Sequence, residues 1–255
     1  LNKNLARDSF VEAKQIIDSG KDKLPKGSKE EEQVLALLAK VDSALEETSG
    51  VTSSEAKEVS ASSSPLLQAQ IKNQGLYFSE DDKSIYALTA NEVYTLNKEG
   101  EDKKAIIEND NSWELAGGLA PYNGNVYVLD KKQNQILKFV ATSDGFSESN
   151  YFTGDGPNLS NAISLAIDSS VYVLFTDGWL SKFTRGSDDS FSISGLDKNL
   201  SNPTRIFTNG DTDNIYILDN GNSRVVVLDK SGAYKSQYQA SVIKNAKDLD
   251  VSESD

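Results

Sequence analysis

The sequence predicts an all-β propeller of four-stranded blades preceded by an α-helical hairpin. Two observations carry this reading. A β-branched residue followed by tyrosine recurs as Ile85-Tyr86, Val126-Tyr127, Val171-Tyr172 and Ile215-Tyr216, at intervals of 41, 45 and 44 residues. A period in that range marks a propeller with one blade per repeat. Before residue 48 the apolar period is instead three to four residues, the spacing of amphipathic helices.

Residues 1–47 read as a helical hairpin or stalk. Leu5, Phe10, Ala13, Ile16 and Ile17 form the first stripe, and Gly20 is placed to end that helix. Pro25 and Gly27 fill the turn. Ser28 and Glu31 fit a capping box, followed by the stripe Val34, Leu35, Leu38, Val41 and Leu45. Two such helices alone are marginal, so a third surface is expected: another helix, a partner chain or the propeller. Residues 48–65 are rich in serine and poor in large apolar groups, the composition of a flexible linker.

Residues 66–255 are the expected propeller. Short inner strands such as Leu76–Phe78, Leu165–Ile167 and Arg205–Phe207 are followed by a polar turn and the tyrosine strand. A third strand comes next, for example Trp179–Phe183 or Val225–Leu228, and then a weaker outer strand such as Phe191–Ile193. Asn73, Asn161, Asn202 and Asn245 mark the starts of units, where asparagine tolerates a chain reversal. Residues 247–255 parallel Gly75–Asp81, so a fifth blade is expected to begin there and to be cut short. A ring of four blades closed by residues 246–251 is the alternative.

The segment Tyr216-Ile217-Leu218-Asp219-Asn220-Gly221-Asn222-Ser223-Arg224-Val225-Val226-Val227-Leu228 resembles the core of an NHL repeat. Pro203 fits that family's proline before the inner strand. Tyr127–Ile136 is a weaker copy, with glutamine where asparagine and arginine are expected. The units at Tyr172 and Tyr86 have shorter turns, and the former lacks the aspartate. In the good copy Asp219, Asn222 and Arg224 are expected to hold the hairpin shut. The hairpin–linker–propeller order also resembles the sensor half of bacterial membrane-anchored protein kinases or PPM-type phosphatases. That resemblance implies an extracytoplasmic or cell-surface setting, anchored through upstream residues. A cytoplasmic setting is the alternative.

Composition narrows the chemistry. A formal charge of −13, with no local basic patch, opposes nucleic-acid and anionic-membrane partners. The chain has no histidine and no cysteine, which removes Ser-His-Asp and Cys-His catalysis, histidine-bound metals and disulfides. Histidine-dependent lyases of related folds are excluded with them. The absence of methionine makes Leu1 the expected product of a cleavage or the continuation of upstream sequence. No apolar run is long enough to span a bilayer.

The expected function is a non-catalytic propeller that binds a protein, peptide or glycan on one face. Its candidate binding residues are Trp113, Asn134, Trp179 and Asn222. Both tryptophans lie at turns or connections of one face, where aromatic anchors serve recognition. Alternatively, each fills a gap between blades. No cofactor, metal ligand or catalytic residue is expected. Asp211 and Asp213, and Glu80, Asp81 and Asp82, have calcium-compatible oxygens but read better as solvated turns. The competing function is a glycosidase-like hydrolase using paired Asp/Glu carboxylates.

Overall fold

The computed structural model describes residues 3–48, 50–53, 77–81, 83–154 and 156–253. Most of the expected linker, together with Asn73 and Leu76, lies outside the described residues. Helix α1 spans Lys3–Lys21 and helix α2 spans Lys29–Thr48. The capping box forms one residue early. The Glu31 N–H donates to Ser28 Oγ at 3.1 Å, while the Glu31 carboxylate accepts the Gly27 N–H instead of the Ser28 N–H. Gly27 carries the left-handed turn at φ +76°, whereas Gly20 stays helical within α1.

Strand β1, Val51–Ser53, falls inside the stretch expected as a linker. Four antiparallel meanders follow. Blade 1 is β2 (Tyr77–Glu80), β3 (Ile85–Leu88), β4 (Glu92–Leu96) and β5 (Lys104–Glu108). Blade 2 is β6 (Ala116–Tyr122), β7 (Asn125–Asp130), β8 (Gln135–Thr142) and β9 (Gly145–Asn150). Blade 3 is β10 (Ala162–Ile167), β11 (Val171–Phe175), β12 (Leu180–Thr184) and β13 (Ser187–Asp188). Blade 4 is β14 (Pro203–Phe207), β15 (Asn214–Asp219), β16 (Arg224–Asp229) and β17 (Tyr234–Gln239).

The recurring dipeptide has a simple physical role. Successive residues of a strand point to opposite faces of the sheet. Val126 therefore packs with Tyr86, Leu88 and Val93 of blade 1, while Tyr127 packs with Ile167, Val171 and Val173 of blade 3. Val171 and Tyr172 repeat the arrangement one blade later, toward blades 2 and 4. The dipeptides of blades 2 and 3 thus join each of those blades to both neighbours, and β-branched and aromatic groups suit that pleated, buried setting.

Two expected strands differ. The outer strand of blade 3 is Ser187–Asp188, not Phe191–Ile193, whose Phe191 and Ile193 instead pack on the core between blades 3 and 4. Residues 246–253 form no strand. Side chains tie them to blade 4: Arg205 Nε meets Asp248 Oδ1 at 3.1 Å, and Glu253 accepts Tyr216 Oη at 2.7 Å.

The third surface needed by the hairpin is blade 4 and the connection leading into it. Arg7 of α1 is 1% exposed. Its Nε donates to the Gly195 carbonyl at 3.0 Å and its Nη1 to the Leu45 carbonyl at 2.9 Å. The guanidinium lies over the Tyr234 ring at 4.3 Å, and its Nη2 is 3.6 Å from Asp197 Oδ1. Asp197 also receives Arg224 Nη1 at 3.1 Å, so one carboxylate serves two buried guanidinium groups. Strand β1 adds in parallel to the edge of β17, pairing Val51 with Gln237 and Ser53 with Gln239.

Arg7→Ala would strip two carbonyls and the Tyr234 face of their shared cation. We expect a loss of about 3 kcal/mol in denaturant unfolding, the range for removing one partner of a buried charged cluster. Hydrogen exchange should rise at residues 195–197 and in α1. Unchanged stability and exchange would show that the hairpin does not depend on this contact.

Candidate functional site

The turns between second and third strands share one end of the blades with the blade-to-blade connections. Here the scaffold is held by polar side chains. Asp219 is 0% exposed. It accepts the Ser201 N–H at 2.7 Å, Asn222 Nδ2 at 2.7 Å and Arg224 Nε at 2.7 Å. The expected trio therefore does close its hairpin, and it also grips the connection from blade 3. The left-handed residue of that turn is Ser223, at φ +53°, rather than Asn222. In blade 2, Asp130 accepts the N–H groups of Glu114, Leu115, Lys132 and Gln133. Gln135 stands at the ladder position of Arg224 and bridges both backbone groups of Phe152, at 3.0 and 3.1 Å.

The four sequence-chosen residues have different fates at this end. Trp113 is 4% exposed, edge-on to Phe139 at 6.0 Å, with Nε1 donating to the Thr89 carbonyl at 3.3 Å. It fills the gap between blades 1 and 2 and offers no surface to a ligand. Asn134 has φ +52°, and its Oδ1 accepts the Leu159 N–H at 2.9 Å. Asn222 is occupied by Asp219 and by the Asn199 carbonyl at 2.9 Å. Trp179 is open, at 59% exposure, and the Asn134 residue is exposed as well. The turn face thus brings the four positions to one end of the propeller, but not into one constellation.

The identical tetrapeptides Asn158-Leu159-Ser160-Asn161 and Asn199-Leu200-Ser201-Asn202 also belong to this face. Each leads into an inner strand, with its leucine packed on the core between adjacent blades. Their separation, close to the dipeptide period, was the signal that could have exposed them.

A central cavity of about 1010 Å³ runs along the inner strands. Tyr77, Phe78, Tyr122 and Phe207 contribute aromatic wall, and Arg205 and Asp248 a polar one. The turns between first and second strands form its far rim. Three carboxylates at that rim are already engaged. Asp81 accepts the N–H groups of Lys83 and Ser84 at 2.8 Å and Tyr86 Oη at 2.9 Å, the pattern of a solvated turn. Glu80 pairs with Lys98 at 3.1 Å. Asp168 accepts the Ser170 N–H at 2.7 Å and pairs with Lys230 of blade 4 at 2.8 Å.

The electrostatics follow from those contacts. Burial pushes the Asp168 carboxyl up, but the Lys230 hydrogen bond and the Ser170 N–H together hold it below the usual carboxylate range. Burial likewise pushes Glu253 up, and the Asp213 N–H with the Tyr216 hydroxyl holds it lower. Burial raises the Tyr216 phenol to about 12, helped by the hydrogen bond to Glu253. A general acid for glycoside hydrolysis needs the opposite, a carboxyl held protonated near neutrality. Among the described residues no group of three or more Asp, Glu, His or Cys side chains is gathered to hold a metal ion.

No protein-family model matches the sequence, and no curated protein matches it. Among solved structures, a chain from the crystal structure of a nidogen/laminin complex is similar, with a TM-score of 0.45 and 14% identity. The match covers 63% of this chain and 61% of that one.

Asp219→Ala would leave Arg224 buried and short of its main partner. Its expected cost is about 3–5 kcal/mol in urea unfolding, against about 0.5 kcal/mol or less for Asp177→Ala on the exposed turn. Comparable losses for the two variants would refute the scaffold role. Acid should loosen the tie between blades 3 and 4. Asp168 has a depressed folded pKa, so its contribution is whole above the ordinary value of 3.8 and is lost as pH falls below it. Lys230→Met should flatten stability against pH in that window, measured by thermal unfolding from about pH 5 down to about pH 2.

Proposed function

We propose that this chain is a non-catalytic binding module whose ligand surface is the turn face of the propeller. One observation carries the proposal. The propeller's exposed large apolar side chains include Leu115, Trp179 and Val242 at that end, while among the described residues none lies on the far rim. Exposed apolar and aromatic groups on rigid turns are the usual anchors of recognition. The engaged carboxylates Asp168 and Glu253, both held below the usual carboxylate range, support binding over acid–base hydrolysis. The NHL-like reading of blade 4 belongs to this proposal and is supported by the Asp219–Arg224 turn. So does an extracytoplasmic setting, with the module as the sensor part of a larger bacterial signalling protein. Its support is the order of hairpin and propeller along the chain.

The test compares immobilised full chain with Leu115→Ala/Trp179→Ala on the turn face and Lys83→Ala/Asp211→Ala on the far rim. Each is passed over a bacterial envelope extract. Components retained by wild type should be lost with the turn-face pair and kept with the rim pair. Retention that ignores the turn-face pair, or that follows the rim pair, overturns the proposal.

A further inference from the structure

Trp179 stands where blades 2 and 4 keep scaffold. In blades 2 and 4 the first residue of the third strand, Gln135 or Arg224, is buried and holds the adjacent chain. Blade 3 has Phe175 in place of the aspartate, and Trp179 pairs with it through the Phe175 N–H at 2.9 Å. The tryptophan turns outward, and no blade contact requires it there.

Its ring is nonetheless fixed. The Trp179 N–H donates to Asp177 Oδ1 at 3.0 Å, the Gly178 N–H to the Phe175 carbonyl at 3.0 Å, and indole Nε1 to Ser181 Oγ at 3.1 Å. Gly178 sits at φ +88° and faces Leu200 closely, so the turn cannot drift toward the next connection. The indole donor is satisfied internally, and what remains for a ligand is a rigid, flat π-face.

The surroundings select the ligand. Thr176 is tied to Asn161 on one side, and Gly178 abuts Leu200 beside Asn199 on the other. Asn161 and Asn199 are exposed, and among the described residues no hydrogen bond uses their side-chain amides. A protein hot spot needs an apolar ring around its anchor to exclude water. Here the turn that carries the anchor lies beside the exposed residues Asn161 and Asn199, and Asp177 accepts the anchor's own N–H. A pyranose ring matches both features: its C–H face lies on the negative π-face of indole, and its hydroxyls meet the amides. The charge of −13 disfavours polyanions.

From this arrangement we infer that Trp179, with Asn161 and Asn199, forms a binding site for a neutral glycan. The inference rests on the binding-face reading and names the ligand class for it. The experiment titrates the full chain with maltohexaose, cellohexaose and N-acetylchitohexaose, following tryptophan fluorescence and calorimetry. Only two tryptophans are present, and Trp113 is buried, so a solvent-sensitive change reports Trp179.

At least one saccharide should bind saturably. Trp179→Ala should weaken it about tenfold or more, with Trp179→Phe recovering part of the loss. Asn161→Ala and Asn199→Ala should each weaken it about threefold without shifting Tm. The inference falls if none of the three binds, if binding ignores Trp179→Ala, or if heparin binds as well as the neutral saccharides. A sugar-free ligand whose retention depends on the turn face would overturn the glycan assignment while sparing the binding module. Loss of both signals removes both.

Discussion

Each blade is apolar on both faces, and this constraint governs the rest of the molecule. A sheet with one wet face can rest on a single core, but these sheets need a neighbour on each side. The β-branched/tyrosine pair supplies one group for each face at the centre of every blade. Burial of such side chains contributes about 1.5–3 kcal/mol apiece, so the stack of blades rests mainly on these layers.

Polar side chains then fix what the apolar layers leave loose. Asp130 and Asp219 sit fully buried at the ends of second strands, where backbone N–H groups of the incoming connection would otherwise lack partners. Arg224 extends one of these sites outward to Gln237, Asp197 and the Lys198 carbonyl. Through Asp197 the same network reaches Arg7 of the hairpin. Helix α1, the outer edge of blade 4 and the turn face are thereby joined by a single chain of charges. Satisfied networks of this kind rigidify a fold, and here Arg7 Nη2 is left with an ion-pair contact to Asp197 at 3.6 Å but no hydrogen bond.

This division also separates scaffold from surface. Where a turn carries aspartate with arginine or glutamine, its side chains point inward and are consumed by the fold. Where that set is lost, in blade 3, the same ladder position points outward. The degenerate turn of blade 3 is therefore one with a side chain to spare.

The sequence by itself determined the helical hairpin, the four blades and the role of the Asp219 trio. Those rest on local period and turn chemistry, which act between residues close in the chain. It also showed that Trp113 and Trp179 belong to one end of the propeller. Only the tertiary structure decided that Trp113 is filler and Trp179 is open, because burial depends on blades some 40 residues apart meeting face to face. The partner of Arg7 was equally hidden: an arginine on an amphipathic helix reads as solvated until a distant carboxylate and an aromatic ring close over it. Strand β1 went unread for the same reason, since three residues of a serine-rich stretch pair only because the edge of β17 is there to receive them.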